Sequence, residues 1–163
     1  MDGNSASLLI LWHSRTGAAQ AMAQAAAEGA RGSARLLQAG DAAPDDLLAA
    51  SAFLFVCPEN LGGMTGTMKE LFDRCYYPLL GRVEGRAYAT LIAAGSDGQG
   101  AQAQIDRIVT GWRLRRVADG LIVNLGVQTP EAIMAPKAVP EGDLARCREV
   151  GSLLAEGISL GIF

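Results

Sequence analysis

Five short apolar runs punctuate this chain, and each is followed by a stretch that reads as helical. The runs are Leu8 to Trp12, Ala34 to Gln38, Ala52 to Cys57, Ala87 to Ala94 and Leu121 to Leu125. All read as apolar on both faces, which is how parallel strands look when helices cover them above and below. Helical patterns follow at Gly17 to Ala30, near Pro44 to Ala50, at Thr65 to Tyr76, at Gln99 to Trp112 and at Glu141 to Ile158. In the fourth, Ile105, Ile108, Val109 and Trp112 recur at i, i+3, i+4 and i+7. Alternating strands and helices with right-handed crossovers predict an α/β fold, a doubly wound five-stranded parallel sheet of order 2-1-3-4-5.

A chain of 163 residues gives room for one domain over 1–163, burying roughly 70% of its unfolded surface. Half of the residues are apolar and 19% are charged, and the net charge is −3. That balance offers no polybasic face, so no nucleic-acid partner is expected. The opening MDGNSAS and the brevity of the apolar run after it argue against a signal segment or membrane insertion, and a cytoplasmic protein is expected. Cys57, Cys75 and Cys147 are far apart, show no CxxC spacing and accompany a single histidine, so they read as buried reduced thiols and no metal site is expected.

In a 2-1-3-4-5 sheet the winding reverses between strands 1 and 3, and ligands sit above the carboxyl ends there. The loops concerned are 13–18, 58–66 and 95–100, reading HSRTGA, PENLGGMTG and GSDGQG. Pro58 lacks an amide hydrogen and is expected to stop strand 3. Beyond the glycine-rich loop, Met64, Met68, Leu71, Phe72 and Cys75 form the buried stripe of a helix, with Lys69, Glu70, Asp73 and Arg74 opposite. Ser14, Thr16 and Gly17 precede a helix whose first amides lack partners, which suits a phosphate monoester. The same hydroxyls also suit a plain N-cap. Neither a triphosphate-binding GxxxxGK[ST] loop nor a dinucleotide GxGxxG follows strand 1.

The pairing of SRTG after strand 1 with PENLGGMTGTMKELFDR after strand 3 resembles the flavodoxin-like superfamily, in its NADPH-dependent FMN reductase and quinone reductase branches. The likeness spans nearly the whole chain in element order and is sharpest at residues 10–23 and 54–77. It implies a flavodoxin-like three-layer sandwich and an FMN site. The phosphate would lie against Ser14, Arg15, Thr16, Gly17, Ala18 and Ala19. The ring would lie along Pro58, Glu59, Asn60, Leu61, Gly62, Gly63 and Met64, and its pyrimidine side would meet Ala94, Gly95, Ser96 and Gly98. The family motif ends in a hydroxyl where this chain has Ala19, a loss of about 1.5–3 kcal/mol in phosphate contact unless Arg15 compensates.

The resemblance further implies an FMN-dependent NAD(P)H oxidoreductase that takes electrons from NADPH or NADH. It would pass them by hydride transfer to a small-molecule electron acceptor such as a quinone or flavin. The cofactor carries that chemistry, so no catalytic side chain is expected. Two alternatives stand beside it: a non-catalytic flavodoxin-type electron carrier, and a flavin-free binding module on the same fold. A phosphoacceptor receiver domain would need an aspartate where Cys57 and Pro58 stand.

Other residues keep two readings each. His13 either contacts phosphate or closes strand 1. Asp97 either faces the ligand or caps the helix after Gly98. Tyr76, Tyr77 and Trp112 form either part of an acceptor pocket or the edge of the core. Arg113, Arg115 and Arg116 either attract the 2′-phosphate of NADPH or solvate a helix end. Gly157 to Gly161 spells GxSxG, but only two residues follow, too few for the helix of a nucleophile elbow. The 126–140 connection is long for a compact domain and suits a lid or contact surface. With Ile133, Met134 and the terminal Ile158 to Phe163, it points to a homodimer or homotetramer.

Overall fold

The computed structural model describes residues 7–163. The chain opens with β1 (Leu8–Trp12), α1 (Ala18–Gly29), β2 (Ala34–Gln38) and α2 (Pro44–Ala49). It continues through β3 (Ala52–Asn60), β4 (Gly63–Met64), α3 (Gly66–Leu79), β5 (Ala87–Ala94) and α4 (Gln99–Gly111). The last elements are β6 (Arg115–Arg116), β7 (Leu121–Asn124), α5 (Pro130–Met134) and α6 (Glu141–Ser159). The sheet runs β2-β1-β3-β5 and ends on an edge shared by β6 and β7, all parallel. This is the flavodoxin-like order, with β5 in fourth place.

Side chains alternate across that sheet and sort the helices into two layers. Leu8, Ile10, Leu54 and Val56 face α1 and α6, while Leu9, Leu11, Phe53 and Phe55 face α2, α3 and α4. The alanine-rich face of α1 (Ala18, Ala19, Ala23, Ala26) lets that helix lie close on the sheet. Burial of these short side chains offers only modest stabilisation each, so close approach and helix propensity carry more of the argument for α1.

Four expectations are corrected. First, β2 is not covered on both faces: Arg35, Leu36 and Gln38 are exposed, because β2 is the sheet edge. Second, the fifth position is not one strand. Pairing of Ala87 with Arg115 and of Leu91 with Leu121 implies two extra residues on the edge side, and the chain breaks into β6 and β7 around them. Third, α3 passes Tyr76 and takes in Pro78, which sits in its last turn where only one intrahelical bond is lost. Fourth, β3 does not stop at Pro58 but runs on to Asn60.

Trp112 is fully buried, donates its indole N–H to the Tyr76 carbonyl at 3.0 Å and stacks on the Tyr76 ring. It caps the end of α4 remote from the carboxyl edge of the sheet, so Trp112 and the Tyr76 ring stacked on it are core packing and not an acceptor pocket, whereas Tyr77 is exposed. Arg115 and Arg116 pair with Ala87 and Tyr88 at the start of β5, also remote from the carboxyl ends. Arg116 meets Asp106 at 2.7 Å and Arg113 meets Glu84 at 3.8 Å, which removes them from a nucleotide role at the crevice. All three cysteines are free and buried, and burial pushes the Cys57 thiol up to about 12 and Cys147 to about 11. Among the described residues no helix is long and apolar enough to cross a membrane.

Candidate functional site

β1, β3 and β5 end side by side, and the three loops beyond them meet in one crevice. The first loop is anchored at His13, whose amide donates to the Val56 carbonyl at 3.0 Å. Its Nδ1 lies 2.8 Å from Oγ1 of Thr65, the buried residue just before α3. His13 therefore closes β1 and ties the first loop to the helix after the second. Partial burial, and then the charge of Arg15, hold its pKa below the ordinary value.

Gly17 begins α1 in a left-handed conformation, φ 101°, and no side chain caps the helix from that position. Ser14 Oγ accepts from the Gly17 amide at 3.0 Å and folds the loop back. The amides of Arg15, Thr16, Ala18 and Ala19 make no hydrogen bond with the described residues. Four donors at a helix N-terminus, flanked by the hydroxyls of Ser14 and Thr16, suit a compact anion. Ala19 is buried in the α1 face of the core and adds no polar group.

The second loop departs from the expectation at Pro58. Pro58 still faces Ala93 of β5, and that pair is the last of the parallel ladder. The strand then changes partner instead of ending. Glu59 pairs with Met64 and Asn60 with Gly63, so residues 59–64 form a hairpin. The missing amide ended one ladder and not the extended backbone, because a residue without a donor is tolerated where pairing changes hands. Leu61 and Gly62 make the turn with φ of 55° and 79°, the positive pair that tight hairpins require. Glycine does this freely, whereas Leu61 is strained by about 1–2 kcal/mol and is 99% exposed.

Behind this hairpin stands α4. Glu59 accepts from the Gly98 amide at 2.9 Å and the Ala101 amide at 3.2 Å, serving as the cap of α4 from across the crevice. Gln104 accepts from the Met64 amide at 2.9 Å. A Cβ on Gly100 would lie 2.0 Å from the Gly62 carbonyl oxygen, so only glycine allows this approach. Asp97 contributes one long contact to the Gln99 amide, 3.4 Å, and is secondary to Glu59 as a cap.

From the sequence-derived set, Arg15, Thr16, Ala18, Pro58, Glu59, Asn60, Ala94 and Gly95 line the crevice directly. Ser14, Gly17 and Ala19 shape its first loop. Gly62 and Gly63 form the hairpin turn and rim, Leu61 stands at its tip, and Met64 is buried beneath it. Ser96 is exposed, with its carbonyl accepting from Asn124 Nδ2 at 2.6 Å. Gly98 is buried against Ile122 and donates to Glu59, so it serves helix packing.

Ala93, Leu125, Ile133 and Lys137 also line the crevice and were not foreseen as site residues. The last two come from the 126–140 connection. It passes Gly95 at Val127, forms α5 and returns to the first loop, where the Lys137 amide donates to the Thr16 carbonyl at 2.9 Å. Its length and the unplaced Ile133 were the available signals. The enclosed volume is about 130 Å³, below the 300 Å³ or more usual for small-molecule sites. A ligand of mononucleotide size must extend over the open hairpin or displace Ile133.

Comparison with known proteins decides the family. The NADPH-dependent FMN reductase family matches residues 38–120, 83 of 163 positions. The chain belongs to that family. The matched stretch holds the hairpin and the third loop, whereas Ser14 to Ala19 lie outside it. Beyond the FMN reductase match, a flavodoxin from Aquifex aeolicus is 27% identical over 162 residues, covering 94% of this chain and 87% of that protein. Two solved structures share the fold. A flavodoxin from the domain Archaea has TM-score 0.77 at 18% identity and covers 94% of this chain and 99% of its own. A WrbA-like flavodoxin from Agrobacterium tumefaciens has TM-score 0.70 at 21% identity, with coverage of 96% and 99%.

Proposed function

We propose that the crevice binds FMN and that the chain is an NAD(P)H-dependent oxidoreductase for a quinone, flavin or similar small acceptor. The observation that carries the FMN part is the donor set of the first loop. Four amides unpaired among the described residues and two hydroxyls meet at one end of a crevice whose other end is a glycine-rich hairpin. This set fits a phosphate monoester. Bound FMN would supply hydride acceptance and donation, which no side chain here provides.

The chain's own residues bind, orient and seal. Ser14 and Thr16 offer hydroxyl donors, the α1 amides offer N–H donors, and exposed Arg15 offers charge. Leu61 and Gly62 form the turn of the hairpin over which the ring would lie, and Glu59 and Gln104 hold that hairpin from behind. Ala93, Ala94 and Gly95 form a smooth floor with no side chain to block a flat ligand. Among the described residues no aromatic side chain lines the crevice, which leaves the outer face of a bound ring open to a nicotinamide and then to an acceptor. Exposed Ile133, Met134, Leu160 and Ile162 support a homodimer or homotetramer.

A second reading, an electron carrier, is favoured by the naming of the Aquifex relative as a flavodoxin. Anaerobic mixing of the FMN-loaded protein with NADPH or NADH separates the two. The reductase reading expects flavin bleaching on the order of 1–1,000 s⁻¹, and recovery of colour on adding a quinone. Bleaching over many minutes with NAD(P)H, together with reduction in two separated one-electron steps when dithionite replaces it, would instead establish the carrier.

A further inference from the structure

Lys137 lies 121 residues from Thr16 in sequence yet its Nζ is 3.3 Å from Thr16 Oγ1. Its backbone amide is bonded to the carbonyl of the same residue, so the contact is fixed at both ends of the lysine. The ammonium also donates to the carbonyls of Ile133 at 2.8 Å and Ala135 at 2.5 Å. Those carbonyls orient the ammonium but carry no charge. No carboxylate of the described residues forms an ion pair with it. Its three donors thus each have a neutral acceptor, while its positive charge, set beside loop amides unpaired among the described residues, has no opposite charge, and an anion at the first loop would supply one in exchange for a neutral acceptor.

We propose that Lys137 is the counter-ion of the first loop, making a charge-assisted contact to a phosphate monoester held there. The proposal rests on the FMN reading above. A phosphate monoester carries about −1.5 to −2 at pH 7, and Arg15 and Lys137 together supply two positive charges beside the α1 amides. Lysine suits this place as a compact point charge on a flexible stem. The 126–140 connection thus has a defined task. It carries a cation across the crevice and pins it to the phosphate loop, while Ile133 covers the adjoining apolar wall.

The test measures dissociation constants for FMN and for riboflavin, which shares the ring and lacks the phosphate, in the wild type and in Lys137→Met, Lys137→Gln and Lys137→Arg. Removing the charge is expected to weaken FMN about 10- to 100-fold and leave riboflavin unchanged. Arg is expected to restore most of the loss, and the salt dependence of FMN binding is expected to become shallower in Met and Gln. Equal urea midpoints for the variants confirm that the fold is intact. FMN affinity unchanged in both Met and Gln would overturn the assignment. So would an equal weakening of FMN and riboflavin, which would make Lys137 a packing residue of the connection. A wild type that binds FMN no better than riboflavin would instead overturn the phosphate site itself, and this assignment with it.

Discussion

Replacing Gly100 by alanine tests whether α4 positions the hairpin. The new Cβ would stand 2.0 Å from the Gly62 carbonyl oxygen and 2.9 Å from its carbon. Ordinary contact is about 3.4 Å or more, so the backbones must separate by roughly an ångström or more. Overpacking of this kind costs about 1–3 kcal/mol. The movement also stretches the 2.9 and 3.2 Å bonds from Gly98 and Ala101 to Glu59, and losing one charged bond adds about 1.5 kcal/mol or more. Alanine returns at most about 1 kcal/mol in helix propensity. The net expectation is about 3 kcal/mol of destabilisation, a fall in Tm of about 6–12 °C, with weakened FMN binding. Gly66→Ala is the control: it begins α3, and nothing lies within 4 Å of its would-be Cβ. That change should be neutral or stabilise by up to about 1 kcal/mol. Urea unfolding of both variants settles the matter, and a Gly100→Ala protein as stable as Gly66→Ala would refute the bracing argument.

Two pH effects follow. His13 has a lowered pKa in the fold, so the unfolded chain takes up its proton first and this contribution to stability is lost as pH falls below 6.5. Asp46 and Glu70, held low by their hydrogen bonds, act only beneath their ordinary values of 3.8 and 4.5. His13→Asn should therefore flatten the urea midpoint between pH 6.5 and about 5, and an unaltered slope there would exclude His13. Tyr88 is pushed up to about 12 by burial and by donating to Asp106 at 2.8 Å. The fold keeps a proton that the unfolded chain loses near 10, so stability should fall as pH rises from 10 towards 12, by up to about 2–3 kcal/mol. The buried thiols, also pushed up, add a decline of their own that begins near 9, so Tyr88→Phe should lessen the alkaline decline without abolishing it, and a decline unaltered in that variant would exclude Tyr88.

Much of this architecture was legible in the sequence because its signals were local. The two-face apolar runs at Leu8 and Phe53 and the spacing from Met68 to Cys75 depend on neighbours a few residues away. From them came the sheet order and the three loops of the crevice. Features built by distant side chains were not visible in that way. Glu59 read as a ligand contact, yet its carboxylate reaches about 40 residues along the chain to cap α4. Pro58 read as a strand end because periodicity carries no information about a change of ladder partner. The fifth strand read as one run because two inserted residues leave the apolar pattern of β7 intact. Lys137 lay in a connection with no periodicity, and only the closed fold brings it to Thr16.

Titration of the flavin-stripped protein with FMN and with riboflavin, followed by quenching of flavin fluorescence, tests the central claim most directly. A phosphate site at Ser14 to Ala19 requires FMN to bind at least about 10-fold more tightly than riboflavin, with the preference shrinking as salt is raised. Equal affinity for the two, or no binding of either, would contradict it and leave a member of the FMN reductase family whose crevice serves another ligand.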